Sequence, residues 1–150
     1  MIMDEIDRRI LNIIQDDFPV EPDPYAAIGE KAGIGEDEAY RRIMRMKEEG
    51  IIRRIGAVFD REKLGYAGTL CAARVPEDRV NSFVSAVNAY PGITHNYRRN
   101  HDYNIWFTLI APGREEIERI IAEIAAQTGI SDILDMPACR TFKIKATFEL

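Results

Sequence analysis

The chain of 150 residues lacks the features of membrane, secreted and disulfide-bonded proteins. No apolar run approaches the roughly 20 residues that cross a bilayer, and the charged start MIMDEIDRRIL is not a secretory signal. The two cysteines, Cys71 and Cys139, are far apart and form no CxxC pair, so we expect free, buried thiols. These absences favour a protein of the reducing cytoplasm that contacts no membrane.

Several catalytic patterns are also missing. There is no Gly-x-Ser-x-Gly motif, and neither cysteine is close to a histidine in the sequence, which argues against serine and thiol hydrolases. The chain has only two histidines, whereas a catalytic zinc ion normally takes three protein ligands. A single imidazole nevertheless suffices for an iron ion that a macrocycle already holds.

The first sixty residues have a helical pattern. Apolar spacing and the proline-rich loop FPVEPDP predict helices over 4–17 and 25–34, a third helix from near Gly35 to Glu49, and a β segment over 51–60. This is the order of a winged helix-turn-helix. We therefore predict a first domain over residues 1–60.

The remaining residues, 61–150, have a different order. The predicted elements are a strand over 68–75, a helix around Val80–Val87, a hairpin of strands 93–99 and 103–111, a helix around Ile117–Ile124 and a strand over 130–136. The tail RTFKIKATFEL alternates and predicts one further strand. The expected class is thus α+β: a winged helix-turn-helix followed by a ferredoxin-like βαββαβ domain with an extra C-terminal strand.

Charge argues against DNA binding by the first domain. The net charge is −5, and residues 1–60 carry all of this excess, whereas residues 61–150 are balanced. The predicted recognition helix begins with Glu36, Asp37 and Glu38, which repel phosphate, although Arg41, Arg42 and Arg45 follow one turn later. The alternative is a domain that serves packing or dimerisation.

The segment THNYRRNHDYNIWFT, residues 94–108, contains both histidines, two adjacent arginines, two tyrosines and the only tryptophan. Strand alternation places His95, Tyr97 and Arg99 on one face. Thr94, Asn96 and Arg98 belong to the other face, and His101 belongs to the turn. Each residue alone could be an ordinary surface group. Together, imidazole, guanidinium and flat aromatic rings suit a planar, iron-containing polycarboxylate.

The two predicted domains together resemble the Lrp/AsnC transcription regulators over the entire chain. Within that superfamily, THNYRRNHDYNIWFTLIA resembles the signature of the sirohaem decarboxylases, the paired AhbA and AhbB subunits of an alternative haem pathway and the related Nir subunits of haem d1 synthesis. Chain length favours the alpha subunit, AhbA. The resemblance implies removal of CO2 from two acetates of sirohaem, giving 12,18-didecarboxysirohaem, and a homologous second subunit as partner in a heterodimer.

The resemblance also implies roles for individual residues. His101 is the first candidate for the axial iron ligand, and His95 is the second candidate or a proton donor. Tyr97 and Tyr103 are candidates for orienting acetates or delivering protons. Candidates for substrate binding are Arg98, Arg99, Asn96, Asn104 and Trp106, and the basic Arg74 of the second domain joins them. No separate cofactor is expected, because the iron belongs to the substrate.

Two other functions remain open. One is an Lrp/AsnC-type transcription regulator that binds DNA and a small effector. The other is a haem-binding or scaffold protein without catalysis. The acidic start of the recognition helix disfavours the regulator.

Overall fold

The first unit contains three helices in the computed structural model, which describes residues 3–143 and 147–150. Helix α1 spans Glu5–Asp16, α2 spans Pro24–Ala32 and α3 spans Glu36–Glu48. Their apolar faces form one buried core of Ile10, Leu11, Ile28, Ala32, Ala39, Ile43, Met46 and Ile52. The predicted helix-turn-helix is therefore confirmed.

Local signals in the sequence begin and end these helices. Asp4 caps α1, since its side chain accepts from the Asp7 backbone N–H at 2.8 Å, while Asp7 accepts in return from the N–H of Asp4. Pro24 starts α2, and Gly33 ends it with a φ of 76°, in the left-handed region that glycine tolerates best.

A buried carboxylate ties α3 to α1. Asp7 is 1% exposed and accepts from Arg42 Nη1 at 2.8 Å and from Arg45 Nη2 at 2.6 Å. Arg42 also pairs with Asp4 and Glu38. The hydrogen bond to the Asp7 backbone and the contact with Arg42 lower the pKa of Asp4. Two of the three arginines of the predicted recognition helix, Arg42 and Arg45, are thus neutralised inside the unit, whereas Arg41 is exposed.

The second unit, Val58–Phe142, is a four-stranded antiparallel sheet with two helices. Its elements are β1 (Ala67–Ala73), a 3-10 turn (Glu77–Arg79), α4 (Val80–Asn88), β2 (Ile93–Arg98), β3 (Ile105–Ala111), α5 (Arg114–Thr128) and β4 (Ile133–Pro137). The strands lie in the order β2-β3-β1-β4. This confirms the ferredoxin-like βαββαβ domain.

The core of this unit lies on one side of the sheet. Ile105, Phe107, Leu109 and Ala111 of β3 alternate with less buried residues and pack, with Cys71 and Ala73 of β1, against apolar residues of α4 and α5. Strand register places the intervening side chains on the opposite side. We call that side the open face; its residues are Gly68, Leu70, Ala72, His95, Tyr97, Trp106, Thr108, Ile110, Leu134 and Met136.

Two predicted strands are wrong in the described residues. Residues 51–60 form no strand, and Ile51, Val58 and Phe59 are exposed. The tail forms no strand over 140–143 and 147–150; the predicted positions 144–146 lie outside the described residues. An alternating pattern becomes a strand only beside a hydrogen-bonding partner. In the tail, a side chain of α1 replaces a partner strand. The Gln15 side chain donates to the backbone carbonyl of Phe148 and accepts from its backbone N–H.

The boundaries also differ slightly from the predicted domains. The described residues of the first unit are 3–57, 143 and 147–150, so the end of the tail belongs with the helices. The two cysteines differ as well. Cys71 is buried, and burial raises the pKa of its thiol to about 12, whereas Cys139 is exposed, contrary to expectation.

The Asp7 network generates a prediction. We expect Asp7→Ala to lower the free energy of unfolding by about 3 kcal/mol, because it leaves Arg42 and Arg45 without their shared carboxylate. Urea denaturation followed by circular dichroism measures this. Asp37→Asn is the matched control, since Asp37 also lies in the first turn of a helix but is exposed. Equal stability of the two variants would contradict a structural role for the network.

Candidate functional site

The pairing of β2 with β3 determines where the segment 94–108 presents its side chains. His95 lies opposite Thr108, and Tyr97 lies opposite Trp106. Trp106 and Thr108 alternate with the buried residues of β3, so all four side chains belong to the open face. The sequence expectation that His95 and Tyr97 share a face agrees with this register.

Two threonine hydroxyls surround one nitrogen of His95. Nδ1 lies 3.1 Å from Thr94 Oγ1 and 3.4 Å from Thr108 Oγ1, and the hydroxyls are 2.6 Å apart. Thr94 was expected on the opposite face. A register shift between Ile93 and His95 instead lets both residues reach the side of Thr108. When Nδ1–H donates to a hydroxyl, the Nε2 lone pair is free for another ligand.

Aromatic and guanidinium groups continue this surface. The ring of His95 stacks on Tyr97 at 5.9 Å between centroids. Cζ of Arg99 lies 5.3 Å from the centroid of Trp106, whose Nε1–H donates to the Tyr103 carbonyl at 2.7 Å. Within the described residues, Arg99 forms no ion pair. Its positive charge therefore remains available to an anion.

His101 is held differently from His95. It lies in the turn between β2 and β3, where its Nδ1 accepts from the backbone N–H of Tyr103 at 3.1 Å. An accepting Nδ1 places the proton of a neutral imidazole on Nε2. In this arrangement His101 presents an Nε2–H group, which can donate a hydrogen bond but cannot bind a metal ion.

Tyr103 and Arg74 form a cluster with an acidic residue beside this turn. The Tyr103 hydroxyl donates to Asp132 at 2.9 Å, and Arg74 Nε lies 3.1 Å from the same carboxylate. The guanidinium of Arg74 also covers the Tyr103 ring, 5.0 Å from its centroid. Contact with Tyr103, and then the charge of Asp132, raises the pKa of Arg74. Arg74 is thus already engaged.

Three other candidates have partners away from the open face. Asn96 donates to Asn88 at the end of α4, and Arg98 forms two hydrogen bonds with Glu77, at 2.7 and 2.9 Å. Asn104 bonds both the N–H and the carbonyl of Val75, at 2.9 and 2.8 Å. These contacts join neighbouring segments of the fold and give Asn104 a structural role.

Sequence reasoning missed the contribution of the other strands to the open face. Leu70 of β1 and Leu134 of β4 are both about 40% exposed, and register places them in line with Thr108 and Trp106 respectively. Burial alternation along β1 is irregular, so the pattern of apolar residues alone did not separate its two faces.

The open face is a surface and not a closed cavity. Of two cavities, of about 490 and 510 Å³, one is lined by the first unit, and the other by the start of β2, the end of β3 and α5, where it reaches the open face only at Ile110. His95, Tyr97, His101 and Trp106 line neither. Within the described residues, no three His, Cys, Asp or Glu side chains could together hold a metal ion, and no helix has the length and apolarity needed to cross a membrane.

Comparison with known proteins identifies the family. Residues 7–53 match the family model for a siroheme decarboxylase NirDL-like HTH domain, and residues 63–143 match the AsnC-like ligand binding domain. The siroheme decarboxylase alpha subunit of Desulfovibrio desulfuricans is 51% identical over 99% of this chain and 85% of its own length. The chain belongs to the sirohaem decarboxylase family.

Solved structures of sirohaem decarboxylases agree with this membership. The crystal structure of the siroheme decarboxylase NirDL matches 98% of this chain with a TM-score of 0.74 and 35% identity. A second structure, NirDL in complex with an iron-uroporphyrin III analogue, matches 95% with a TM-score of 0.72 and 33% identity. This chain spans about half the length of each NirDL chain, 48% in both cases.

The contacts of Asn104 generate a prediction for this site. Asn104→Ala removes two hydrogen bonds to a half-buried backbone, so we expect a loss of about 2 kcal/mol in the free energy of unfolding. Asn96→Ala, which removes one exposed hydrogen bond, should cost less than about 0.5 kcal/mol. Urea denaturation compares the two. A fully stable Asn104→Ala variant that binds ligand poorly would instead restore the substrate-binding role expected from the sequence.

Proposed function

We propose that this chain is a subunit of a sirohaem decarboxylase, a carbon-carbon lyase that removes CO2 from two acetates of sirohaem to give 12,18-didecarboxysirohaem. The observation that carries the proposal is the 51% identity to a siroheme decarboxylase alpha subunit over nearly the whole chain. The open face supplies the chemistry that such a substrate requires. The iron belongs to the substrate, sirohaem. No separate cofactor is needed, because decarboxylation involves no net redox change.

The tetrapyrrole ring lies against the open face in this proposal. Tyr97 and Trp106 offer flat surface, with Leu70 and Leu134 beside them as apolar neighbours. Such surface suits a planar ring because its burial removes apolar area from water. The bound analogue in NirDL is also an iron-containing tetrapyrrole, which supports this choice of ligand.

The roles of the two histidines follow from their hydrogen bonds. His95 is the better candidate for the axial ligand, because the threonine hydroxyls can take its Nδ1–H and leave the Nε2 lone pair for iron. His101 is better suited to donate a hydrogen bond from Nε2–H to a substrate carboxylate, because its Nδ1 accepts from the N–H of Tyr103. This order reverses the preference that the family resemblance implied.

The arginines differ in how readily they can bind carboxylates. Arg99 has no ion-pair partner in the described part of the chain, whereas Arg74 and Arg98 would first have to leave Asp132 and Glu77. We therefore place Arg99 first among the carboxylate-binding residues. Its guanidinium should hold a carboxylate that is retained, since an ion pair to the reacting acetate would stabilise the ground state that must lose its charge.

The reaction itself requires a proton. The bond between the acetate methylene and its carboxylate breaks, CO2 leaves, and the electron pair remaining on carbon takes a proton to become a methyl group. Tyr97 and Tyr103 are the candidate donors, because His95 is assigned to the iron and the neutral imidazole of His101 is a poor acid. General acid catalysis of this kind contributes about 10²–10⁴-fold, so positioning must supply the remaining rate enhancement.

A homologous second subunit is the proposed partner. On the open face, Tyr97 is 54% exposed and Leu134 is 41% exposed. A tetrapyrrole ring bound there would therefore still have one side in water. A second, similar surface would exclude that water and complete the site. The relatives include a siroheme decarboxylase alpha subunit and a siroheme decarboxylase NirD subunit, which supports an assembly of more than one subunit.

The ion pairs of the predicted recognition helix oppose the transcription regulator. Arg42 and Arg45, which a DNA-reading helix would turn towards phosphate, are engaged by Asp7. Phosphate contacts supply most of the affinity for DNA, so the loss of two cations at this helix opposes binding.

The main test is anaerobic incubation of sirohaem with this chain and its homologous subunit, followed by mass spectrometry of the tetrapyrrole. We expect the loss of two CO2 molecules per sirohaem. Binding of sirohaem without any change in its mass would instead indicate a haem-binding protein without catalytic activity. A shift of promoter DNA at physiological salt without decarboxylation would favour the regulator.

The assignment of the histidines is tested separately. We expect His95→Ala to abolish the shift of the Soret band on ligand binding, because the iron loses its axial imidazole. His101→Ala should retain the shift but lower the decarboxylation rate about tenfold, because one hydrogen bond to a charged group of the substrate is lost. The two single variants control for each other. Loss of the shift in His101→Ala alone would return the axial role to that residue.

A further inference from the structure

A guanidinium group lies over a glycine at one end of the open face. Gly68 of β1 has an open-face position, because register alternates it with Ala67 and Thr69. A Cβ atom at Gly68 would meet Arg61 Nη1 at 2.6 Å and Cζ at 2.7 Å. The missing side chain therefore makes the space in which the guanidinium of Arg61 lies.

The loop before β1 holds Arg61 in place. The backbone carbonyl of Arg61 accepts hydrogen bonds from the N–H of Tyr66 at 2.8 Å and from the N–H of Leu64 at 3.2 Å. The adjacent Asp60 accepts from the backbone of Glu62 and Lys63 and pairs with the Lys63 ammonium at 3.8 Å. Of the two acidic residues adjacent to Arg61 in the sequence, Asp60 is thus engaged with the turn and with Lys63, and no ion pair joins Glu62 to Arg61 among the described residues.

The charge of Arg61 has no carboxylate partner among residues 3–143 and 147–150. Arg61 is also exposed. Like Arg99, and unlike Arg74 and Arg98, Arg61 has no carboxylate partner in the described residues. A free guanidinium on a surface of aromatic and apolar groups is suited to bind a carboxylate in a bidentate manner.

Arg61 and Arg99 lie towards opposite ends of the open face. Arg99 covers Trp106, which pairs with Ala72, whereas Arg61 covers Gly68 four residues earlier on the same strand. Four residues of a strand correspond to about 14 Å. That separation is comparable to the span of a tetrapyrrole with its side chains, and Leu70 and Thr108 lie between the two ends.

We propose that Arg61 binds a peripheral carboxylate of the tetrapyrrole, at the end of the open face opposite Arg99, and that Gly68 provides the space for it. This inference rests on the proposed function. It adds a specificity-determining residue outside the segment 94–108: two separated guanidiniums select a ring with carboxylates on opposite edges over one with carboxylates on a single edge.

The test measures affinity for two iron tetrapyrroles by absorbance titration, with the full chain assembled with its homologous subunit. Iron uroporphyrin III carries acetates and propionates on every pyrrole, whereas haem carries propionates on one edge only. We expect Arg61→Ala to weaken iron uroporphyrin binding about tenfold, the effect of one charge-assisted hydrogen bond, and haem binding by less than about twofold. Arg119→Ala, which removes a positive charge from α5 of the same unit, is the matched control and should change neither.

A second variant tests the role of the glycine. Gly68→Ala should displace the guanidinium and weaken iron uroporphyrin binding, but it should have no further effect in the Arg61→Ala background, because both changes act through one group. An additive loss in the double variant would contradict that mechanism. Melting temperatures of all variants identify any loss that comes from unfolding.

The outcomes separate this inference from the proposed function. Unchanged affinity in Arg61→Ala, or equal weakening of both tetrapyrroles, would overturn the role of Arg61 even if the wild-type assembly decarboxylates sirohaem. Absence of decarboxylation by the wild-type assembly would overturn the proposed function, and the affinities would then still report whether Arg61 recognises carboxylates.

Discussion

The alternation of side chains along β3 is the constraint on which both the core and the candidate site depend. Every second residue from Ile105 to Ala111 is buried against the helices, and the residues between them must therefore face the other way. Antiparallel pairing then aligns His95 and Tyr97 with Thr108 and Trp106. A shift of one residue would bury the polar side chains and expose the core, so burial on one face maintains the chemistry on the other.

Ion pairing determines which positive charges remain available on this scaffold. Asp7 engages Arg42 and Arg45 in the first unit, and Asp132 and Glu77 engage Arg74 and Arg98 in the second. Two of the arginines without such partners in the described residues, Arg61 and Arg99, flank the open face. A protein of net charge −5 can therefore offer an anionic ligand a local basic surface, because the distribution of charge matters more than its sum.

Much of the fold was predictable because its signals are local. Helix periodicity, the cap at Asp4 and the glycine at position 33 act within a few residues, and the corresponding helices agree with their predicted positions. The strands predicted over 51–60 and in the tail were wrong in the described residues, since a strand requires a partner that an alternating pattern cannot specify. Thr94 was placed on the wrong face because the register shift beside it arises from pairing with β3.

The sequence by itself determined the order of elements, the segment that contains the histidines and, through its resemblance to known proteins, the family. Only the tertiary structure decided which members of that segment are free to act. Asn104 supports Val75, Arg98 pairs with Glu77, and Tyr103 occupies Nδ1 of His101, all through partners that the amino-acid pattern does not reveal. Arg61 reaches the open face because Gly68, seven residues away, leaves room for it. Hydrogen bonds and close contacts depend on distances in space, and these exist only once the strands are paired.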